Sequence, residues 1–483
     1  MSKFNSTVKS PKSITENLAG GQAYKQSPEM SLVSLLLTSF VNDQFYRDGN
    51  QTLEDLKNLI KSNKDKEFIA KSAIFARDEF GMRSITHALA GELTSEISGL
   101  DWAKSFYEKV VSRVDDMTEI MSYYLNNKTD KKQPKFPSSL KKGFAKAFEK
   151  FDSYQIAKYK GEKKEVKLID VVNLVHPIPT KRNEQALNSL VNGDLKNTKT
   201  WESMLTKAGQ DATSEEDLAQ LKSEAWKQLL ESKTLGYFAL LRNLRNIVQQ
   251  SPESVDLACE MLVDANLISK AKVLPFRFTT AYEEINKLGQ NSTTRKVVMA
   301  LDQALNISAT NVPKFDGETL VVIDTSGSMS GKPSEIASLF GSMIAKVNGC
   351  DVMTFDNSAR YVSYNQMDSV ITIRNGFKFA GGGTNFQDIF VKANKSYKRV
   401  IILSDMQGWI GYNCPTKEFN EYKKKFNCDP IVYSWDLEGL GTLQFPERNV
   451  YGLAGFSEKV FQIMSLLEED KQALVNKIRS IEL

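Results

Sequence analysis

The sequence predicts a two-part α + α/β fold: a run of α-helical repeats followed by a doubly wound parallel sheet. Three observations predict it. Before about residue 315, apolar residues recur at helical spacing and strand-like alternation is scarce. After Asn311, short apolar runs alternate with helical stretches, the pattern of βαβ units. One such run, Leu320 to Ile323, is bulky throughout and ends in Asp324-Thr325-Ser326-Gly327-Ser328. A run of that kind reads as a central strand buried on both faces.

The helical part is legible segment by segment. Met30 to Phe40 is apolar enough to be buried on most sides. Leu53, Leu56, Leu59 and Ile60 form an i, i+3, i+6, i+7 stripe. Phe68 to Ala76 and Ile85 to Ala90 continue the pattern, with His87 inside a helix in a structural role. Leu218–Leu230, Leu235–Val248 and Ser254–Ala265 follow. Helices of roughly ten to fifteen residues joined by short polar turns suggest stacked antiparallel pairs, a solenoid. In the second part, strands are expected at 319–323, 351–355, 361–364, 399–403, 430–435 and 449–452. Helices are expected at 333–347, 387–394 and 458–478.

The chemistry gathers at the carboxyl ends of those strands, where ligands bind in open α/β sheets. Asp324, Ser326 and Ser328 put one carboxylate and two hydroxyls at alternating positions of a tight loop. Gly381-Gly382-Gly383-Thr384 is a glycine-rich loop ending in a hydroxyl, and Val400 to Leu403 leads through Ser404 to Asp405. Oxygen ligands with few charges suit a hard divalent cation of the magnesium type. A phosphate loop is excluded. Three residues, not four, separate Gly327 from Gly331, and Pro333 follows Lys332 where a hydroxyl is required.

Composition limits the alternatives. A chain of 483 residues is too long for one ordinary core. No run approaches the roughly 20 apolar residues of a membrane span, and the first residues lack a signal-peptide core. Four sparse cysteines without a Cys-x-x-Cys pair suggest reduced thiols and a cytoplasmic protein. Two histidines, His87 and His176, exclude a histidine-rich metal site. Net charge is +4, unevenly spread: residues 311–483 carry 19 Lys+Arg against 20 Asp+Glu. Residues 131–167 hold twelve lysines and four acids, a net +8. Such a patch attracts polyanions by counterion release, although solvated helix faces also carry many lysines.

Asp-x-Ser-x-Ser, a Thr behind glycines and an Asp at a second strand end together resemble the metal-ion-dependent adhesion site of von Willebrand A domains. In the first half, Ile156-Ala157-Lys158-Tyr159-Lys160 and Leu168 to Pro177 resemble the TROVE signature. Trp201 to Leu205 and Leu240-Leu241-Arg242-Asn243-Leu244 are similar to further family blocks. In this order, the motifs resemble the Ro autoantigen family, its bacterial members in particular. The resemblance implies a polar tail over 1–25, a TROVE module of ring-forming, HEAT-like helical repeats over 26–315, and a von Willebrand A domain over 316–483. It implies that Ser326, Ser328 and Thr384 touch a divalent cation, with Asp324 and Asp405 acting directly or through water.

The same resemblance implies a non-catalytic, monomeric RNA-binding ring acting in RNA quality control. Y RNA-like small RNAs would bind outside, and single-stranded 3′ ends of misfolded RNAs would enter the hole. An exoribonuclease can be tethered in bacterial relatives. Lys158 and His176 match the family's Y RNA contacts, Lys141 and Lys142 fall at a basic pair, and Lys160 lies in the same block. This chain carries one extra residue between Lys160 and His176, and Glu162 stands near a basic family position. Two other readings compete. One is a magnesium-dependent protein scaffold without an RNA role. The other is a metal nuclease, disfavoured because two-metal sites need more carboxylates.

Overall fold

The computed structural model describes residues 14–39, 47–127, 135–162, 164–196, 198, 200–271, 273, 275–411, 415–445, 449–455, 459–469 and 472–483. They fall into two compact units: Met1–Asn63 with Ala309–Lys477, and Lys64–Ser308 with Ile478–Leu483. No described helix is long and apolar enough to cross a membrane.

The first unit holds two sheets. β1 (Ile14–Glu16) and β2 (Gln22–Lys25) form an antiparallel hairpin. The main sheet contains β3 (Thr319–Asp324), β4 (Asp351–Phe355), β5 (Ala359–Val362), β6 (Arg399–Ser404) and β7 (Ile431–Asp436). A short β8 (Thr442–Leu443) pairs with β2, and β9 (Val450–Ala454) completes the main sheet. Its order is β5-β4-β3-β6-β7-β9, parallel throughout except for β5 at one edge. Every residue of β3 and β6 is buried, as their continuous apolar runs require. The chain leaves β3 toward β4 on one side and returns to β6 on the other. That reversal makes a switch point between the ends of β3 and β6.

Aromatic rings fill both faces of the sheet. On one, Trp435 stacks on Phe340 at 4.9 Å and meets Phe461 edge-on at 5.8 Å. Elsewhere Phe355, Phe386, Phe390, Phe419 and Phe445 form a continuous cluster. The helix Lys332–Asn348 lies so close to β3 that a Cβ at Gly341 would sit 2.6 Å from Ile323 Cδ1. Pro333 occupies its first turn, as expected. The terminal helical stretch is divided into Lys459–Glu469 and Ala473–Arg479.

Residues 14–62 lie in the first unit. β2 pairs with β8, and the helix Pro28–Thr38 packs on β9. A Cβ at Gly439 would lie 2.2 Å from Thr38 Oγ1. Apolar periodicity reports that a helix face is covered, not which element covers it.

The second unit is helical throughout its described elements, from Lys66–Asp78 to Ser292–Ser308. Its helices stack in neighbouring pairs, among them Trp201–Asp211 on Glu215–Glu231 and Phe276–Asn286 on Ser292–Ser308. Inside it, Asp116 is fully buried among cations. It accepts from Arg77 Nε and Nη2 at 3.1 and 2.9 Å, and meets His87 Nε2 at 2.9 Å. His87 is therefore a buried structural residue. The last residues return to the start of this unit: Arg479 pairs with Asp65 at 2.7 Å and covers the Phe68 ring.

Candidate metal centre and basic surface

The three loops expected to share a cation meet at the switch point. Gly327 N–H donates to Gly382 O at 2.9 Å, and Gly381 N–H to Thr325 O at 3.2 Å. Ser326 and Gly382 form a parallel bridge. The glycine loop is pinned from its other side by Gly383 N–H donating to Asn357 Oδ1 at 2.9 Å. Gly381 has φ 76°, in the left-handed region that glycine tolerates best. Gly383 is crowded: a Cβ there would lie 2.7 Å from the Trp409 ring.

Asp324, Ser326, Ser328, Thr384 and Asp405 are all buried. Ser326 and Ser328 hydroxyls lie 3.3 Å apart, and Ser326 N–H donates to Asp324 Oδ1 at 2.9 Å. Asp324 Oδ2 accepts from Ser404 Oγ at 2.6 Å. Ser404 was not among the residues singled out from sequence. Its position directly before Asp405 at a strand end was the available signal. Gln407 N–H donates to Asp405 Oδ1 at 3.0 Å, while Asp405 Oδ2 has no well-formed hydrogen bond among the described residues.

Burial and mutual repulsion set the electrostatics of the two carboxyls. Burial, then the neighbouring Asp405, pushes the Asp324 carboxyl up to about 7. Burial also raises Asp405, against opposing hydrogen bonds led by the Ser328 hydroxyl. Two raised carboxyls, one with an orphaned oxygen, beside paired hydroxyls suit a hard cation with oxygen ligands. Among the described residues, no group of three or more His, Cys, Asp or Glu side chains could hold a metal. A hydroxyl-rich set is therefore the donor chemistry offered.

The candidate RNA-binding residues lie on or beside three consecutive α-helices of the helical unit. Lys141 and Lys142 sit on Ser138–Ala147, Lys158 ends Ser153–Lys158, and His176 caps Leu168–Val175. Ser138–Ala147 packs on Leu168–Val175. Lys158 and His176 are exposed. Lys158 Nζ stands 5.6 and 5.5 Å from the Tyr154 and Tyr159 ring centres. His176 is held at φ 48° before Pro177, a left-handed conformation uncommon outside glycine. Lys141 and Lys142 have no ion pair among the described residues.

Other lysines of the 131–167 patch are engaged. Lys160 pairs with Glu162 at 2.6 Å and donates to Leu195 O at 3.1 Å. Lys146 pairs with Glu149 at 2.7 Å, and Lys164 pairs with Glu119. Lys150 donates to Val111 O at 3.0 Å. Lys131, Lys132 and Lys163 lie outside the described residues. The surface charge available to a partner is thus smaller than the lysine count suggests.

Comparison with known proteins agrees with the motifs. The family model of the TROVE domain matches residues 22–222 and 194–314. Among curated relatives, telomerase protein component 1 of Mus musculus is 20% identical over 337 residues. That match covers 54% of this chain and 13% of the mouse protein. The Rattus norvegicus counterpart is 20% identical over 339 residues, again 13% of its length. The chain thus spans a small part of these relatives. The crystal structure of the Deinococcus radiodurans Ro (RSR) protein superposes with a TM-score of 0.61 at 16% identity. It covers 91% of this chain and 99% of that one, which shows the shared fold. With its helical repeats and parallel sheet in that arrangement along the sequence, and with the family match extending over more than half of its length, this chain belongs to the TROVE domain family.

Proposed function

We propose that this protein is a non-catalytic RNA-binding protein that takes small, structured, Y RNA-like molecules on the surface formed by residues 138–180. The carrying observation is that Lys158 and His176 are both exposed at helix ends, on the same unit as Lys141 and Lys142, which have no ion pair among the described residues. Duplex RNA hides its base edges, so a protein holds it through phosphates, 2′-hydroxyls and shape. Lys158, Lys141 and Lys142 supply the phosphate contacts. His176, fixed by its turn, supplies a directional hydrogen bond. Lys160 contributes less, because Glu162 neutralises it.

The same reading includes single-stranded 3′ ends of misfolded RNAs as ligands, action in RNA quality control, and an exoribonuclease as a potential partner. It also includes a monomeric state and a cytoplasmic location. Free Cys259, Cys350 and Cys428 fit a reducing compartment. The name of the murine relatives, telomerase protein component, is compatible with an RNA-associated role. At the switch point, Ser326, Ser328 and Thr384 would hold magnesium, with Asp324 and Asp405 direct or through water. The ion would offer an open position to an acidic partner group.

Fluorescence anisotropy with a stem-loop RNA at several salt concentrations tests the proposal. Lys158→Ala with His176→Ala should weaken binding by roughly tenfold or more and flatten the salt dependence. Unchanged affinity would remove this surface from consideration. The second reading, a magnesium-dependent protein-docking module, is favoured by the buried hydroxyl–carboxylate set with exposed Trp409 beside it. It predicts ordinary RNA affinity and a partner lost on Asp324→Ala.

A further inference from the structure

One buried side chain, Gln407, joins the loop after β6 to the N-terminal hairpin. Its backbone N–H donates to Asp405 Oδ1 at 3.0 Å. Its side chain makes three bonds. Nε2–H donates to Asp405 O at 3.2 Å and to Thr442 Oγ1 at 3.0 Å, and Oε1 accepts from Leu18 N–H at 2.7 Å. Thr442 belongs to β8, the strand that pairs with β2. A single amide thus holds the backbone of a candidate cation ligand, the turn of the hairpin and the strand paired with that hairpin.

The loop is strained where it is gripped. Met406, between Asp405 and Gln407, is fully buried at φ 60°. A methionine is uncommon in that left-handed region, and such a conformation persists only where its surroundings over-determine it. Met406 N–H donates to Ser404 Oγ at 2.9 Å, and its carbonyl accepts from Gln444 Nε2–H at 2.9 Å. Ser404 in turn donates to Asp324 Oδ2. Further along, Trp409 N–H and Ile410 N–H both donate to Thr384 O, at 3.3 and 3.4 Å. Residues 405–410 are therefore braced against three of the loops that carry candidate ligands and, through Gln407, against Leu18. A packed, strained loop of this kind moves between discrete arrangements and does not bend gradually.

Resting on the magnesium reading given above, we propose that Gln407 is a positioning residue that couples cation binding at the strand ends to closure of the β1–β2 hairpin. With the hairpin closed, Leu18 and Thr442 fix the Gln407 amide, and that amide fixes the backbone of Asp405. With the hairpin detached, Oε1 loses its partner, the side chain is free to turn, and the Asp405 carbonyl loses its donor. The closed hairpin therefore favours the ion. By linkage, the ion favours the closed hairpin by the same factor. Asn17 Nδ2–H, bonded to Gly408 O, holds the hairpin to the same loop without touching Gln407. It gives a handle on the hairpin that leaves the coupling residue in place.

The test uses the full chain with magnesium chloride as the probe, titration calorimetry for affinity and hydrogen exchange for the hairpin. Saturating magnesium should slow exchange at residues 14–25 by about tenfold. Gln407→Met keeps the volume and removes the three side-chain bonds. It should cancel that slowing and weaken magnesium binding severalfold. Asn17→Ala should weaken magnesium by up to the factor of the slowing, as linkage requires. It reads the coupling from the hairpin side, so the test stands even where Gln407→Met does not fold, which melting curves in EDTA would reveal. Magnesium binding with unchanged exchange at 14–25 would overturn the coupling and leave the cation site standing. So would full slowing in Gln407→Met, or unchanged magnesium affinity in Asn17→Ala. Slowing spread evenly over the first unit would overturn it too, as the mark of general stabilisation by a bound ion. No magnesium binding by the wild type would instead sink the magnesium reading, and the coupling with it.

Discussion

Asp324 ends β3, Asp405 follows β6, and the charge of Asp405 adds to burial in raising the Asp324 carboxyl to about 7. A raised carboxyl favours the folded state while it is protonated. Its stabilisation is complete below the unfolded value near 3.8 and is lost as pH rises through about 7. Without a cation, the protein should therefore melt at a higher temperature near pH 5.5 than near pH 8, other groups being equal. Magnesium should reverse the loss: at free ion ~100-fold above its Kd, it should add about 2–3 kcal/mol near pH 8. Calorimetry with EDTA or magnesium measures this. Asp324→Asn should abolish the magnesium effect, and an undiminished effect in that variant would place the ion elsewhere.

The hairpin of β1 and β2 is fastened beside the same site. Asn17 Nδ2–H donates to Gly408 O at 2.7 Å, and Leu18 N–H donates to Gln407 Oε1 at 2.7 Å. Gly21 permits this approach, since a Cβ there would lie 2.0 Å from Gly408 O. Gly21→Ala should cost about 1–3 kcal/mol by overpacking. Hydrogen exchange should accelerate at residues 14–25 and 407–409 together. Acceleration confined to the hairpin would mean that the loop holds its shape unaided.

Sequence pattern reached the sheet and its loops because each signal was local. Leu320 to Ile323 is an unbroken apolar run, and Asp324, Ser326 and Ser328 occupy one turn. Strands β4, β6 and β7 fall within one residue of expectation for the same reason. β1 and β2 were not legible. They are three and four residues long and polar in part, and β2 pairs with β8 across some 400 positions of chain. Long-range pairing also hid the role of Ser404 and the cation shell of Asp116. The lysine-rich stretch was visible as charge, but its neutralisation by Glu119, Glu149 and Glu162 depends on the folded surface.

Asp116 anchors the start of the helical unit. Burial would raise its pKa, but His87, Arg77 and Arg83 outweigh burial and hold the carboxyl well below the usual range. A depressed carboxylate stabilises above its unfolded value near 3.8, and that contribution disappears as pH falls through the lower folded value. Asp116→Ala leaves the buried Arg77 guanidinium without its carboxylate, while Arg83 keeps Asp115, and should cost about 3–5 kcal/mol. Urea titration near pH 7 should show the full loss, and the difference from wild type should shrink in strong acid. A pH-independent difference would assign the effect to packing instead.

Glu162 offers a gain-of-affinity test of the basic surface. It is exposed, and Lys160, first by hydrogen bond and then by charge, keeps its carboxyl ionised below the ordinary range. The pair contributes little to stability because Glu162 is almost wholly solvated. Next to a polyanion, however, Glu162 both repels phosphate and occupies the Lys160 ammonium. Glu162→Ala should leave the melting temperature nearly unchanged and strengthen stem-loop RNA binding by roughly two- to tenfold, with a steeper salt slope. Lys160→Ala in that background should cancel the gain. If Glu162→Ala changes neither affinity nor slope, RNA does not approach the end of the Ser153–Lys158 helix, and the contact to Lys158 falls with it.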